Sequence, residues 1–344
     1  MNKSKILVTG GTGYIGSHTI VELQALGFEV IVIDSLKNSF AGVLNQVEKI
    51  SGIKPTFYEF DLCDKSALDN FFYREPNIDA IIHFAALKAV GESVDNPLLY
   101  YKNNILSLIN LLDAMIKFNL KNIVFSSSCT VYGQPDVLPV SEQSPMKKAE
   151  SPYGQTKQMA EQILSDVVKS AGINVIALRY FNPIGAHDSS LIGEFPIGAP
   201  NNLVPMITQT AMGIREKLMV FGDDYNTKDG SCVRDYIHVV DIAKAHVIAI
   251  ERLLKKNNKS PFEVFNLGTG NGFTVLETIK TFEKVSNTKL NYEITSRRNG
   301  DVEKVFADTN LANKELGWKA ERDLENMLLT AWNWQIKLKD LKLN

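Results

Sequence analysis

A doubly wound parallel α/β sheet followed by a smaller C-terminal α/β part is the architecture this sequence predicts. Three observations predict it. Short apolar runs alternate with helical stretches through the first half of the chain. The first of these runs enters a glycine-rich turn that opens a helix. The alternation then stops after Phe181 and gives way to a loop-rich stretch.

The first strand is Ile6–Val8, and Gly10-Gly-Thr-Gly13-Tyr-Ile-Gly16 leads from it into a helix reaching about Leu26. Glycines at these positions permit a tight turn, close backbone approach to a pyrophosphate and close helix-on-sheet packing. The free N–H groups and positive dipole of the helix start suit phosphates. The second strand, Val30–Ile33, ends at Asp34. An acid there accepts hydrogen bonds from ribose hydroxyls and repels a 2′-phosphate, so NAD is expected over NADP. Lys37 is the nearby opposing charge. Thr56–Phe60 reads as a third strand ending at Asp61, within reach of an adenine amine. Ala80–Ala86 is a fourth, Asn122–Ser126 a fifth that delivers Ser128, and Asn174–Phe181 a sixth. Asp34, Asp61, Ala85, Ser128 and Asn182 thus fall at or just past strand ends. That is where a Rossmann-type sheet binds its ligand.

Between the fifth and sixth strands stands Ser151-Pro-Tyr-Gly-Gln-Thr-Lys157. Ser151 suits a helix cap and Pro152 the first helical position. The i, i+4 spacing puts Tyr153 and Lys157 on one helix face. A free tyrosine has a pKa near ~10. A cation ~4 Å away in an effective dielectric of ~20 contributes about 4 kcal/mol, which lowers that value by about three. Tyr153 is therefore expected to act as acid and base near neutral pH.

In the second half, residues 182–233 carry Pro183, Pro196, Pro200 and Pro205, a composition suited to binding loops. Asp235–Val239 and Phe262–Leu267 read as strands returning to the main sheet, with a helix from Val240 to Leu254 between them. Val275–Val285 and Leu324–Ile336 read as helices of a small C-terminal domain. Two domains are expected: a nucleotide-binding one over 1–181, to which the chain returns near 234–268, and a mainly substrate-binding one over 182–344.

Composition narrows the partners. The 344 residues are 44% hydrophobic and 22% charged, with a net charge of −2. Such a balance gives no electrostatic case for nucleic acid or an anionic membrane, and no apolar run reaches ~18 residues. Met1–Lys5 runs straight into the first strand with no secretory apolar segment. The three cysteines and five histidines show no ligand spacing, so no metal is expected and a reducing cytoplasm fits.

Several segments resemble the extended short-chain dehydrogenase/reductase family, and within it the UDP-hexose 4-epimerases. They are Gly10–His18, Leu87–Ser93, Ser126–Gly133, Arg179–His187, Pro200–Leu203 and Val233–His238, and the similarity runs from about residue 4 to about residue 334. The resemblance implies an NAD-dependent enzyme that interconverts UDP-glucose and UDP-galactose through a 4-keto intermediate. It implies Ser128, Tyr153 and Lys157 as the catalytic trio. It implies cofactor contacts from Gly10, Gly13, Tyr14, Ile15, Gly16, Asp34, Ser35, Leu36, Asn38, Ser39, Asp61, Leu62, Phe84, Ala85, Ala86, Lys88, Asn103 and Phe181, besides Tyr153 and Lys157. For the UDP-sugar it implies Lys88, Ser128, Tyr153, Asn182, Asn202, Leu203, Met219, Phe221, Arg234, Arg298, Asp301 and Val305. It also implies a homodimer built from helices of the cofactor domain. Ala86 and Cys129 stand where the family pattern leads one to expect Gly and Ala. Val305 stands where family members restricted to plain hexoses resemble a bulky Tyr, so an N-acetylated hexose is expected to fit as well.

Three rival readings remain. A 4,6-dehydratase of this family carries an Asp-Glu pair after the serine, where this chain has Cys129 and Thr130. A UDP-uronate 4-epimerase stays open. A non-catalytic NAD-binding sensor is opposed by the presence of all three catalytic residues.

Overall fold

The computed structural model describes residues 3–298 and 302–341. Seven parallel strands form its central sheet, in the order 262–267, 174–180, 122–128, 80–83, 5–9, 29–34, 56–59. The chain builds outward from Lys5–Thr9 through Glu29–Asp34 to Thr56–Glu59. It then crosses back and builds the other way from Ala80–His83. Strand order therefore reverses between 5–9 and 80–83, which opens a crevice at their carboxyl ends.

The apolar runs form these strands because both faces of the sheet are covered. Alternation splits each strand between two cores. Ile6, Val8, Val30, Val32 and Ile82 pack with Ile20, Leu23, Val47 and Ile250 from helices 14–25, 43–51 and 239–254. Leu7, Ile31, Ile33, Ile81 and Ile123 pack on the other face with Phe71, Leu108, Leu111 and Leu164 from helices 65–74, 97–117 and 152–171.

Beyond Tyr180 a smaller part is built on its own core. Ile184, Val204, Ile207, Val220, Phe282, Met327 and Leu328 fill it, drawn largely from helices 203–211, 275–286 and 324–337. Short strand pairs rim it: 218–221 beside 292–295, and 233–234 between 273–274 and 304–305.

Phe262–Leu267 returns to the main sheet as expected, but 235–239 does not. Tyr236–His238 pairs in parallel with Asn182–Ile184 as a separate two-stranded unit. The place beside 174–180 is taken by 262–267, so 236–238 pairs with the chain's own continuation past Phe181. The loop-rich stretch also holds a helix, Leu203–Ala211, that its prolines conceal; Pro205 sits in its first turn. Among the described residues no helix is long and apolar enough to cross a membrane.

Candidate active site

The site is assembled where strand 122–128 ends. Ser128 closes that strand and caps the tight turn Cys129–Tyr132, its Oγ accepting the Thr130 N–H at 3.2 Å. Opposite it starts helix Pro152–Ala171. Ser151 Oγ accepts the Gly154 N–H at 3.2 Å and Pro152 fills the first position, as expected. This start fixes Tyr153 at the mouth of the helix and Lys157 one turn inside.

Lys157 is almost fully buried. Its Nζ donates to Ser126 O at 2.7 Å and lies 4.9 Å from the Phe125 ring centroid and 5.8 Å from that of Tyr153. Burial pulls the ammonium pKa down to about 8, and the Glu161 carboxylate works against that. The phenol corrects an expectation. Burial pushes Tyr153 up to about 12, opposed by its hydrogen bond with Ser128, with Cys129 adding to the rise. The simple charge argument set the cation at ~4 Å with no desolvation. Here the ammonium lies 5.8 Å from the Tyr153 ring centroid and the phenol is buried, so desolvation wins.

The glycine turn lies across the crevice. Gly10 has φ +72°, and a Cβ there would sit 2.7 Å from Ala85 N. A Cβ on Gly16 would collide with Gly10 O. Backbone from the first and fourth strands therefore meets directly. Gly13 caps helix 14–25 without a side-chain bond, so the first N–H groups are free of an internal acceptor. Tyr14 OH donates to Gly185 O at 2.5 Å, tying this turn to the smaller part, while Ile15 packs on the sheet core.

Asp34 binds the loops around it. Its oxygens accept from Thr12 N at 3.2 Å, Leu36 N at 3.0 Å and Ser39 Oγ at 3.2 Å. Leu36 holds φ +56° within this turn, Ser35 is half-buried and Asn38 exposed. Lys37 forms a 2.6 Å ion pair with Asp61, so its charge is directed there rather than to Asp34. Leu62 is buried beneath. Phe84, Ala85 and Ala86 line the end of strand 80–83. These features fit a dinucleotide: a turn too tight for side chains, bare helix N–H groups, and a carboxylate at the second strand end.

Sequence reasoning named Asn103 but missed Asn104. Asn104 is buried and holds the main chain of Leu87, and its Nδ2 reaches Thr156 Oγ1 at 3.2 Å. Asn103 donates to Asn104 Oδ1 at 3.1 Å. Glu194 was also missed. Its Oε1 accepts from both Lys88 (3.0 Å) and Asn202 (2.7 Å). Neither residue lies in a motif that spacing reveals.

On the far side, Arg234 Nη1 donates to Val302 O at 2.6 Å. Strand pairing sets Val305 opposite Arg234, and Val305 is buried with Phe181, Val131 and Cys129 around it. Arg298 lies 5.5 Å from the ring centroid of the exposed Phe221, whose strand also carries Met219. The neighbouring Arg297 is held by Asp224 at 2.6 Å and stacks on Tyr225 at 4.0 Å. Asn202 caps the helix that Leu203 begins, and Asn182 is half-buried at the start of its short strand. Asp301 lies outside the described residues. Among the described residues no group of three acidic, His or Cys side chains is placed to hold a metal.

The family model described as "GDP-mannose 4,6 dehydratase" matches residues 7–330. The UDP-glucose 4-epimerase of Bacillus subtilis is 54% identical over 331 residues, covering 96% of each chain. The crystal structure of UDP-glucose-4-epimerase from Stenotrophomonas maltophila, with bound NAD and formylated UDP-arabinopyranose, superposes with TM-score 0.94 at 46% identity. The match covers 98% of this chain and 99% of that one. The UDP-Glc/GlcNAc 4-epimerase of Campylobacter jejuni matches with TM-score 0.83 at 37% identity, covering 97% and 99%.

Proposed function

Because the chain belongs to the UDP-glucose 4-epimerase family, within the wider GDP-mannose 4,6 dehydratase group, we infer that it catalyses NAD-dependent interconversion of UDP-glucose and UDP-galactose at C4. The observation that carries this is the gathering of Ser128, Tyr153 and Lys157 at the carboxyl end of strand 122–128, the same end of the sheet at which the Gly10–Gly16 turn leaves strand 5–9. Purified protein incubated with UDP-galactose is expected to yield UDP-glucose; absence of product on separation rejects the reading.

The chemistry follows from the residues. Inverting C4 needs oxidation to a 4-ketone and reduction on the other face. Tyr153 takes the proton from the 4-hydroxyl and later returns it. Ser128 shares that hydrogen bond. Lys157 supplies the buried positive charge that favours the phenolate. NAD, when bound, would supply a hydride acceptor and donor for C4, and its ring would add positive charge beside the phenol. Gly10, Gly13 and Gly16 would take its pyrophosphate, Asp34 its ribose and Asp61 its adenine, with Lys88 and Asn103 as further contacts. The sugar must turn over between the two half-reactions, so binding concentrates on UDP. Arg234 and Arg298 suit the pyrophosphate, Phe221 stacks uracil, and Asn182 and Asn202 bind polar edges.

The reading extends to N-acetylated hexoses. Val305 leaves more room beside C2 than a tyrosine, and a related enzyme is described as acting on UDP-Glc and UDP-GlcNAc. Turnover of UDP-glucose with none of UDP-GlcNAc overturns this extension.

We also propose that cofactor binding belongs to residues 1–181 with the return through helix 239–254 and strand 262–267, and UDP-sugar binding mainly to the rest of 182–344. A homodimer is supported by an exposed apolar stripe, Leu98, Ile109 and Ile116, along helix 97–117. A monomeric mass in sedimentation rejects it. A cytoplasmic setting is supported by three free cysteines, Cys63, Cys129 and Cys232.

A further inference from the structure

One buried charge beside the site has no part in the mechanism above. Glu161 follows Lys157 by one helical turn, so the two side chains share a face, and both are nearly fully buried. Glu161 does not bond the ammonium. Its Oε1 accepts from Ser127 Oγ at 2.5 Å and Arg179 Nε at 2.9 Å, and its Oε2 accepts from Arg179 Nη2 at 2.5 Å. Lys157 instead donates to Ser126 O, one residue before Ser127 on the same strand. Arg179 thus holds the carboxylate in a two-pronged grip and keeps it from closing on the lysine.

We propose that Glu161 is a positioning residue for Lys157. It is a buried counter-charge that keeps the ammonium protonated, and Arg179 anchors it so that it does not close on Lys157, whose remaining N–H groups are left for Tyr153 and the nucleotide. This rests on the epimerase reading of the site. Three charges lie in a row, Lys157⁺, Glu161⁻ and Arg179⁺. A guanidinium does not give up its proton. Removing Glu161 alone therefore leaves two buried cations without the carboxylate they share, and only Lys157 can relieve that by deprotonating.

The surroundings make this readable. The other titratable groups packed here are Tyr153 on the same helix, Tyr180 on the strand of Arg179, Tyr132 and Glu142 around the Arg179 guanidinium, and His83 facing Lys157. Burial pushes Tyr132 to about 12 and Tyr180 well above its usual value, and burial with Lys157 pulls His83 to about 3. Burial also raises the Glu142 carboxyl. Lys157, near 8, is the group among these that changes charge between pH 7 and pH 9.

The test measures kcat/KM for UDP-galactose against pH in the NAD-loaded enzyme. In Glu161→Gln the alkaline limb is expected to move down by about one pH unit, a roughly fivefold greater loss between pH 7 and pH 9 than in wild type. Glu161→Asp keeps the carboxylate and is expected to return the limb most of the way to its wild-type position. Should Glu161→Gln fail to fold, the double variant Glu161→Gln/Arg179→Met removes both charges and is expected to show a smaller downward shift. A titration of Lys157 by NMR with 15N-lysine, assigned through Lys157→Met, is expected to give the same order. That second readout does not depend on sugar turnover, so failure of the epimerase reading is separable from failure of this one. Coincident limbs and coincident lysine titrations in wild type and variants overturn the proposal.

Discussion

Asn104 takes both main-chain groups of Leu87: its Oδ1 accepts the Leu87 N–H at 2.8 Å and its Nδ2 donates to Leu87 O at 3.0 Å. One side chain replaces a missing strand neighbour for the segment that continues past His83. Through Thr156 it also fastens that segment to the helix carrying Tyr153. Asn104→Ala leaves two buried backbone groups without partners, at about 1–3 kcal/mol each. The variant is expected to melt several degrees lower and to hold less NAD after purification. Thermal melting and the absorbance of released cofactor check both outcomes.

Tyr153→Phe removes the proton carrier without disturbing the cofactor loops. Cofactor content is expected to match wild type, while epimerisation falls by about 10²–10⁴-fold, the usual span for a positioned acid–base group. A variant that keeps turnover would dismiss the phenol from the chemistry.

The pH profile carries a signature of Lys157. Its pKa of about 8 means that the ammonium is lost as pH rises past that value, and turnover is expected to fall there. Stability moves the other way. Between pH 8 and the ordinary lysine value of 10.5, the unfolded chain holds a proton that the native state has released. This group therefore makes unfolding harder as pH climbs through that window. Rate measurements and denaturant titrations on the same samples separate the two trends.

Gly16→Ala puts a methyl group against Gly10 O. The turn must open, so the variant is expected to purify without NAD and to be inactive until cofactor is added in excess. Retention of wild-type cofactor content would show that the turn tolerates the methyl.

Val305→Tyr puts a larger side chain into the cluster that holds Phe181, Val131 and Cys129. Turnover of UDP-GlcNAc is expected to fall at least ~10-fold relative to UDP-glucose, about 1.4 kcal/mol of discrimination. Parallel assays of the two substrates give the ratio directly.

The strands were legible because burial on both faces leaves nothing but apolar residues in runs such as Ile6–Val8 and Val30–Ile33. The start of the catalytic helix was legible because Ser151 and Pro152 act locally. What was not legible depends on distant partners. Tyr236–His238 carries the same kind of strand signal as Phe262–Leu267, and only competition for one sheet edge sends them to different places. The phenol pKa depends on distant partners too: spacing reveals which charge is near, not how completely the fold buries the phenol. Asn104 and Glu194 matter through partners 17 and 106 residues away in the chain.

The last strand of the main sheet, Phe262–Leu267, arrives only after the chain has left the sheet at Tyr180, entered the smaller part and returned through helix 239–254. A fragment stopped at Tyr180 would end in a sheet whose outermost rung is naked, with its amide and carbonyl groups open to other copies. On the ribosome the same exposure lasts until residue 267 has emerged. The two halves therefore cannot be traded between relatives as separable modules by cutting at 181, and a chimera that respects the fold must carry 262–267 along with the first half.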